Sequence, residues 1–485
     1  MAAVRSAVLG LAGVLGGCAV GPSFHEPPPP PVEHYTAAAP SVGTEGTATQ
    51  HFVSGMDLPG QWWTVFHSDA LNTLVEEALK HNPNMQAAQA ALRLANETTS
   101  AQRGFYLPTL AASYGATRQK NAVGTLSPTL NSGAELFTLH TAEVSVSYML
   151  DVFGSNRRQV ESLQALADAA RFELAGTYLT LSSNVVAAAV EEASLRAQIA
   201  ATSDVVASER ESLKILEHQY EIGAIARLDV MAQESALAST EATLPGLQKQ
   251  LAQERDLIAV LVGRLPSDEP GQHFTLEDLT LPQDLPLTVP ASLVRQRPDV
   301  LQAEAQLHSA TAQVGVALAN LLPQISLTGS AGGTSTTLAQ LFATGNTFWS
   351  GGVSLSQTLF AGGTLWHRKR AADAALDQAG AQYRSTVLAA FQQVADTLHA
   401  LELDAQTESA ASRAERAAAD SLAVVRHNVE LGSVSYLALL QAEQSYQQAR
   451  LALAQARASR FADTAALFQA LGGGWWNDPS SGPKD

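Results

Sequence analysis

His218-Gln219-Tyr220-Glu221-Ile222-Gly223 returns 209 residues later as His427-Asn428-Val429-Glu430-Leu431-Gly432. Working outward, Phe153-Gly154 is answered by Phe360-Ala361-Gly362 at an offset of 207. Leu107-Pro108 is answered by Leu322-Pro323, and Pro83 by Pro298, both at 215. Four landmarks keep one order while the offset drifts by eight residues, which coincidental matches do not do. A period near 210 is far longer than the roughly 20–50 residues of a solenoid unit. It has the size of a domain, so the chain reads as one duplicated fold with internal pseudo-symmetry.

Between the landmarks each half has the same grammar: a helical lead-in to Leu-Pro, two short alternating stretches around a loop, a very long helix, a glycine turn and a return helix. Val144, Val146, Tyr148 and Leu150 alternate with Ser145, Ser147 and Met149; Val353 and Leu355 alternate with Ser354 and Ser356. Period two with an apolar and a small polar face predicts strands. Weaker, glycine-containing strands are expected over 110–118 and 325–333, with loops over 119–141 and 334–350 rich in Gly, Ser, Thr and Asn. From about Asn156 to Tyr220 there is no proline and only Gly176. Leu174, Tyr178, Leu181 and Val185 recur at steps of four, three and four, and Tyr383, Val387, Ala390 and Val394 repeat those steps. That is a coiled-coil-like seam. The helix it predicts is roughly 100 Å long at 1.5 Å per residue. Gly223 and Gly432 end the long helices and reverse the chain. Lead-in helices are expected over 84–105 and 299–321, and return helices over 227–262 and 436–471. Pro245-Gly246 should kink the first return helix.

The N-terminus gives the compartment. Arg5 precedes an apolar run, Ala7 to Leu15, too short to span a bilayer. The run ends in Leu15-Gly16-Gly17-Cys18, and Cys18 is the only cysteine. This is the form of a lipoprotein signal, with Cys18 acylated (palmitate among its chains) after cleavage and Pro27 to Pro31 serving as linker. Ala19 stands where such lipoproteins carry Asp when they are retained in the inner membrane, so export to the outer membrane is expected. No later segment has the eighteen apolar residues of a transmembrane helix. Four strands cannot close a membrane barrel, since single-chain barrels begin at about eight, and lipid does not tolerate open edges. Strands that span must therefore be shared between chains. Two chains would give eight and three would give twelve; the residues do not choose.

From about residue 24 to 476 the chain resembles the outer-membrane factors of bacterial tripartite efflux pumps, the TolC, OprM and NodT type, and most closely their lipoprotein branch. The resemblance rests on Cys18-Ala-Val-Gly21-Pro22-Ser-Phe24, on Trp62-Trp63-Thr-Val-Phe66, on the duplicated proline and glycine landmarks, and on Ala470-Leu-Gly-Gly-Gly474-Trp475. It implies a mainly α fold with membrane β, internally duplicated: a homotrimer whose 12-stranded β-barrel continues into a 12-helix periplasmic α-barrel, belted at the equator by the termini and the linker. The division expected is a signal peptide over 1–17, a lipid-anchored segment over 18–68, a first repeat over 69–262, a linker over 263–290, a second repeat over 291–471 and a tail over 472–485. The implied partners are a periplasmic adaptor, an inner-membrane pump of the resistance–nodulation–division class, and outer-membrane lipid. A duct for type I protein secretion is the alternative within the family. A lipid-anchored coiled-coil scaffold without a pore is the alternative outside it.

Composition agrees. With 46 acidic against 29 basic residues the net charge is −17, which argues against a nucleic-acid partner. One cysteine excludes a disulfide framework. No phosphate-binding glycine loop, metal-spaced Cys/His cluster or catalytic constellation is present, so no cofactor and no enzyme activity are expected. Candidate sites gather at the glycine turns, where an adaptor would dock. His218 and His427 lie one turn before the helix ends, within reach of Glu221 and Glu430. They read as dipole compensation or, in a trimer, as a ring of six titratable imidazoles. The lipoprotein branch narrows its pore with a hydrophobic residue and, four later, an acid. Leu437 and Gln441 occupy those positions here. Gln441 cannot titrate, so Asp229, Glu443 or Tyr436 are the further candidates for the constriction. Trp475-Trp476 reads as a packing anchor.

Overall fold

The computed structural model describes residues 19–36, 50–120 and 136–477. Cys18 lies outside the described residues. The chain divides into two compact units, each assembled from both halves of the duplication.

The first unit takes in residues up to Glu26, Leu92–Ala169 and Ala303–Tyr383. It holds β2 (Thr109–Lys120), β3 (Leu136–Leu150), β5 (Gln324–Ser335) and β6 (Thr347–Ser356) in one antiparallel sheet of order β2-β3-β5-β6. Register explains its chemistry. Leu110 and Ala112 oppose Val146 and Val144, which oppose Gly329 and Ala331; Leu327 lies between Tyr148 and Val353. One face of the sheet is therefore apolar, and Leu110, Tyr114, Val144, Val146, Trp349, Val353 and Leu355 stand exposed on it. The other is dominated by Ser and Thr, with Ser330 Oγ 2.9 Å from Ser350 Oγ and Thr141 Oγ1 3.2 Å from Thr334 Oγ1. The outer edges of β2 and β6 are unpaired among the described residues. The strands outrun the alternation read from the sequence: β3 and β6 begin inside the stretches expected as loops, and Leu338–Gln340 forms a 3-10 turn there.

Each strand pair feeds a long helix through a glycine corner. Gly154 has φ 77° and Gly362 has φ 60°, backbone that favours residues lacking a Cβ. Against the first corner lies the N-terminal strap. Val20 N–H donates to Phe153 O at 3.2 Å and Arg158 Nε to Val20 O at 3.2 Å. A Cβ on Gly21 would stand 2.5 Å from Gly315 Cα, and one on Gly154 2.7 Å from Ala19 Cβ. Phe24 stacks on His308 at 4.4 Å, and Glu161 accepts from both His308 (3.1 Å) and Arg158 (2.7 Å).

The second unit comprises Pro27–Ala91, Ala170–Gln302 and Arg384 onward. Most of α3 (Ser155–Glu221) and α8 (Thr364–Glu430) lies in it; each is a single helix of 67 residues. Leu181 and Val185 of one seam and Val387, Ala390 and Val394 of the other are buried. The return arms differ. The second is unbroken, α9 (Tyr436–Ala470). The first is two helices, α4 (Arg227–Glu241) and α5 (Leu244–Leu261). The interruption falls at Ala242-Thr243, before Pro245 rather than at it. Proline has no N–H to offer and clashes with the preceding turn, but both defects vanish in a helix's first turn, where Pro245 sits.

Sequence reading missed α1 (Asp69–His81), the short α6 (Pro290–Gln296) and a parallel pair, β1 (His51–Ser54) with β4 (Asp284–Leu287). Helix α1 starts on Ser68, whose hydroxyl accepts from Leu71 N–H, and buries Leu71, Leu74, Val75 and Ala78. The lead-in helices α2 (Pro83–Arg103) and α7 (Pro298–Ala319) begin on the landmark prolines and stop two residues short of the expected ends. The tryptophan motif is a 3-10 helix, Trp62–Phe66. Trp62 stacks on Phe468 at 5.7 Å and donates its Nε1 to Ser182 Oγ at 3.2 Å; Phe66 meets Phe461 at 6.1 Å. Full burial of side chains this size contributes about 1.5–3 kcal/mol each. Trp475 donates to Gln296 O at 2.8 Å and meets Phe172 edge-on at 6.0 Å, a packing anchor as its sequence position suggests. Among the described residues no helix is long and apolar enough to cross a membrane.

Candidate functional site at the two helix reversals

Both long helices end in the same hydrogen-bonded motif. Gly223 N–H donates to Tyr220 O at 2.9 Å and Ala224 N–H to Gln219 O at 2.8 Å. Gly432 N–H donates to Val429 O at 2.9 Å and Ser433 N–H to Asn428 O at 2.9 Å. These two pairs of bonds are the Schellman arrangement, which satisfies the helix's last carbonyls only if the pivot residue is left-handed. Gly223 has φ 76° and Gly432 φ 70°. Nothing lies within 4 Å of a Cβ built on either glycine, so backbone conformation alone selects the residue.

The histidines of the repeated phrase hold the same place in both halves. His218 Nδ1 lies 3.8 Å from Glu221 and His427 Nδ1 3.7 Å from Glu430, each pair exposed. Leu437 and Gln441, one turn apart on α9, are both exposed, Leu437 at 60%. Asp229 stands half-buried in the first turn of α4. Tyr436 turns back into its own chain. Its hydroxyl donates to Gln233 Oε1 at 3.0 Å, and burial pushes its phenol up to about 12, so it stays neutral. Exposed apolar side chains crowd the two turns, including Ile222, Leu228, Leu431 and Val434.

Glu443, read from the sequence as a pore charge, is instead 2% exposed and faces the interior. Its Oε1 accepts from Ser208 Oγ at 3.2 Å and lies 3.4 Å from Arg426 Nη2, which also donates to Ser208 at 2.8 Å. Glu209, 1% exposed, was not anticipated. Its Oε1 accepts from Thr240 Oγ1 at 3.2 Å and its main-chain carbonyl from Gln233 Nε2 at 2.8 Å. Burial raises the pKa of both carboxyls. Thr240 partly offsets this at Glu209 while Glu443 and Glu241 add to it; Ser208 and Arg426 partly offset it at Glu443. A sequence signal existed. Val205, Glu209 and Leu216, like Leu439, Leu440 and Glu443, fall on single helical faces, so both glutamates interrupt apolar stripes.

A four-stranded sheet with one apolar and one hydroxyl-lined face, twin 67-residue helices and paired helix reversals define a duplicated outer-membrane channel fold of the TolC type. The sequence profile of the outer membrane efflux protein family matches twice, over residues 74–264 and 289–473, and the chain belongs to that family. It is 30% identical over 473 residues to Nodulation protein T of Rhizobium leguminosarum bv. trifolii, with 95% of this chain and 96% of that protein covered. It is also 30% identical over 431 residues to the pyoverdine export outer membrane protein OpmQ of Pseudomonas putida, covering 87% and 90%. Among solved structures the outer-membrane channel OprN superimposes with a TM-score of 0.83 at 28% identity, over 94% of this chain and 100% of that one.

Proposed function

We propose that this protein is the outer-membrane exit duct of a tripartite efflux system, passive and without enzymatic activity. It passes drugs or other small molecules delivered by an inner-membrane pump of the resistance–nodulation–division class through a periplasmic adaptor. The observation that carries the reading is the sheet. Its apolar face suits lipid and its Ser/Thr face suits a wet lumen, yet both edges of one chain are open. Lipid forbids open strand edges, so the barrel closes only between copies, and the family's homotrimer supplies twelve strands. Acyl chains on Cys18 tether the trimer to the outer membrane. The reversals at Gly223 and Gly432 form the periplasmic tip that meets the adaptor. Leu437 and Gln441 line the constriction there, with Asp229 and Tyr436 beside them, and His218 and His427 ring its mouth. OpmQ, a pyoverdine exporter by name, supports a small-molecule cargo over a secreted polypeptide.

The test is conductance of the purified protein in planar bilayers, with native mass measurement in mild detergent. A trimer that conducts is expected. A stable monomer or dimer, or a trimer that never conducts, overturns the duct.

A further inference from the structure

The reversals hold a feature that a static plug does not need. Two carboxyls lie almost wholly buried, and each keeps one oxygen without a hydrogen-bond partner, Glu209 Oε2 and Glu443 Oε2. They sit where the two helical hairpins touch. Ser208 and Glu209 come from α3, Gln233 and Thr240 from α4, Arg426 from α8, and Tyr436 and Glu443 from α9. The bonds Ser208–Glu443, Arg426–Ser208 and Tyr436–Gln233 each join the first hairpin to the second. Any separation of the hairpins breaks these bonds and admits water to both carboxyls.

We infer that Glu209 and Glu443 form a proton-linked clasp, closed when both carboxyls are protonated and loosened when both are ionised. The inference rests on the reading of the reversals as the duct's periplasmic end. An ionised carboxylate with a buried, unpartnered oxygen is costly, and a protonated one can donate from that oxygen. The surroundings do not compensate two charges. Arg426 is the cation at Glu443 and is itself half-exposed; Arg210 is engaged by Glu241 at 2.6 Å; Glu241 adds repulsion to Glu209; Tyr436 is neutral. Burial holds both pKa values up while the hairpins are packed, and hydration on separation returns them toward ordinary carboxylate values. The packed state thus binds more protons than the separated one. By linkage, separation releases protons to bulk water and is favoured as pH rises through the raised range; acid tightens the tip. His218 and His427 lie on their own helix ends, exposed and outside the cluster.

The experiment records open probability of the full-length trimer in planar bilayers from about pH 5 to about pH 8. The wild type is expected to rise several-fold with pH. E209Q/E443Q, isosteric and neutral, should keep the low-pH behaviour throughout; should the pair fail to assemble, each single variant is expected to flatten the slope in part. H218Q/H427Q should keep the wild-type slope. A conducting wild type without pH dependence, or a glutamine variant with an unchanged slope, overturns the clasp. Absence of conductance at every pH overturns the duct instead. The clasp is then read by amide exchange over 204–240 and 424–446, corrected for intrinsic rates. It should quicken with pH in the wild type alone, and equal pH response in E209Q/E443Q refutes it.

Discussion

Replacing Gly432 isolates one physical term. The residue sits at φ 70°, and a Cβ there meets nothing within 4 Å. No clash contributes to the cost, which is the left-handed backbone alone, about 1–2 kcal/mol for a residue with a Cβ. Gly432→Ala should therefore raise the population of the opened turn by a factor of about 5–30. Gly432→Val should do more, being β-branched, and Gly432→Asn much less, because asparagine visits this region readily. The Ser433 amide, bonded to Asn428 O at 2.9 Å, reports the opening directly through hydrogen exchange. Because the effect is confined to one turn, the melting temperature of the protein should barely move. Gly474→Ala is the contrast: φ is 68°, but its Cβ would collide with the main-chain carbonyl oxygens of Pro59 and, at 2.7 Å, of Leu58, so it should cost more and lower the melting temperature. In cells, Gly432→Val should raise drug susceptibility at unchanged protein level. Exchange at Ser433 that is the same in Gly432→Val as in the wild type would refute the argument.

Further outcomes follow from other sites. Leu437→Ser should raise the conductance of the isolated trimer, because apolar constrictions block ions by dewetting; Gln441→Asp should make the current more cation-selective and sensitive to pH in the carboxylate range. If neither changes conductance or selectivity, the constriction lies elsewhere. A cleavable signal with Cys18→Ser should leave much of the protein membrane-bound by its strands, and complete release into the soluble periplasm would show that the strands do not span. Arg460, 1% exposed, holds Glu408 at 2.6 Å and Gln50 at 3.0 Å. Arg460→Met removes the buried member of this pair and leaves Glu408 the longer contact with Arg457 at 3.7 Å; it should destabilise by up to about 3–5 kcal/mol, and adding Glu408→Leu should recover part of it in thermal unfolding.

What the sequence disclosed was whatever repeats or punctuates. The duplication, the twin long helices and their glycine ends were legible because periodicity and left-handed glycine leave marks in one dimension. The strands were legible at their alternating ends near the helices, and β3 was underestimated where Phe137, Leu139 and His140 blur the two faces. The break at Ala242 was misplaced by reading Pro245 as a helix interior residue, when the chain uses it as a first-turn residue. The β1–β4 pair left no signal, since four-residue strands more than 200 residues apart are joined only by tertiary contact. Near the reversals, Leu437 and Gln441 were singled out by the resemblance to the lipoprotein branch, and both side chains are exposed. Glu443 was found for the wrong role and Glu209 not at all, because which face of a helix is buried is decided by the neighbouring hairpin.

The N-terminal strap carries a consequence for the order of biogenesis. Ala19 is packed on Gly154 from the first half of the duplication, and Gly21 on Gly315 from the second. Its seat exists only once a ribosome has delivered nearly two-thirds of the chain and both halves have found each other. Until then Ala19 and Gly21 have no seat, and the segment that carries them hangs as a loose leash. Afterwards the leash is a bolt, passed through a socket whose second half is translated much later. A polypeptide with one faulty half would lack half of that socket, and its strap could not latch.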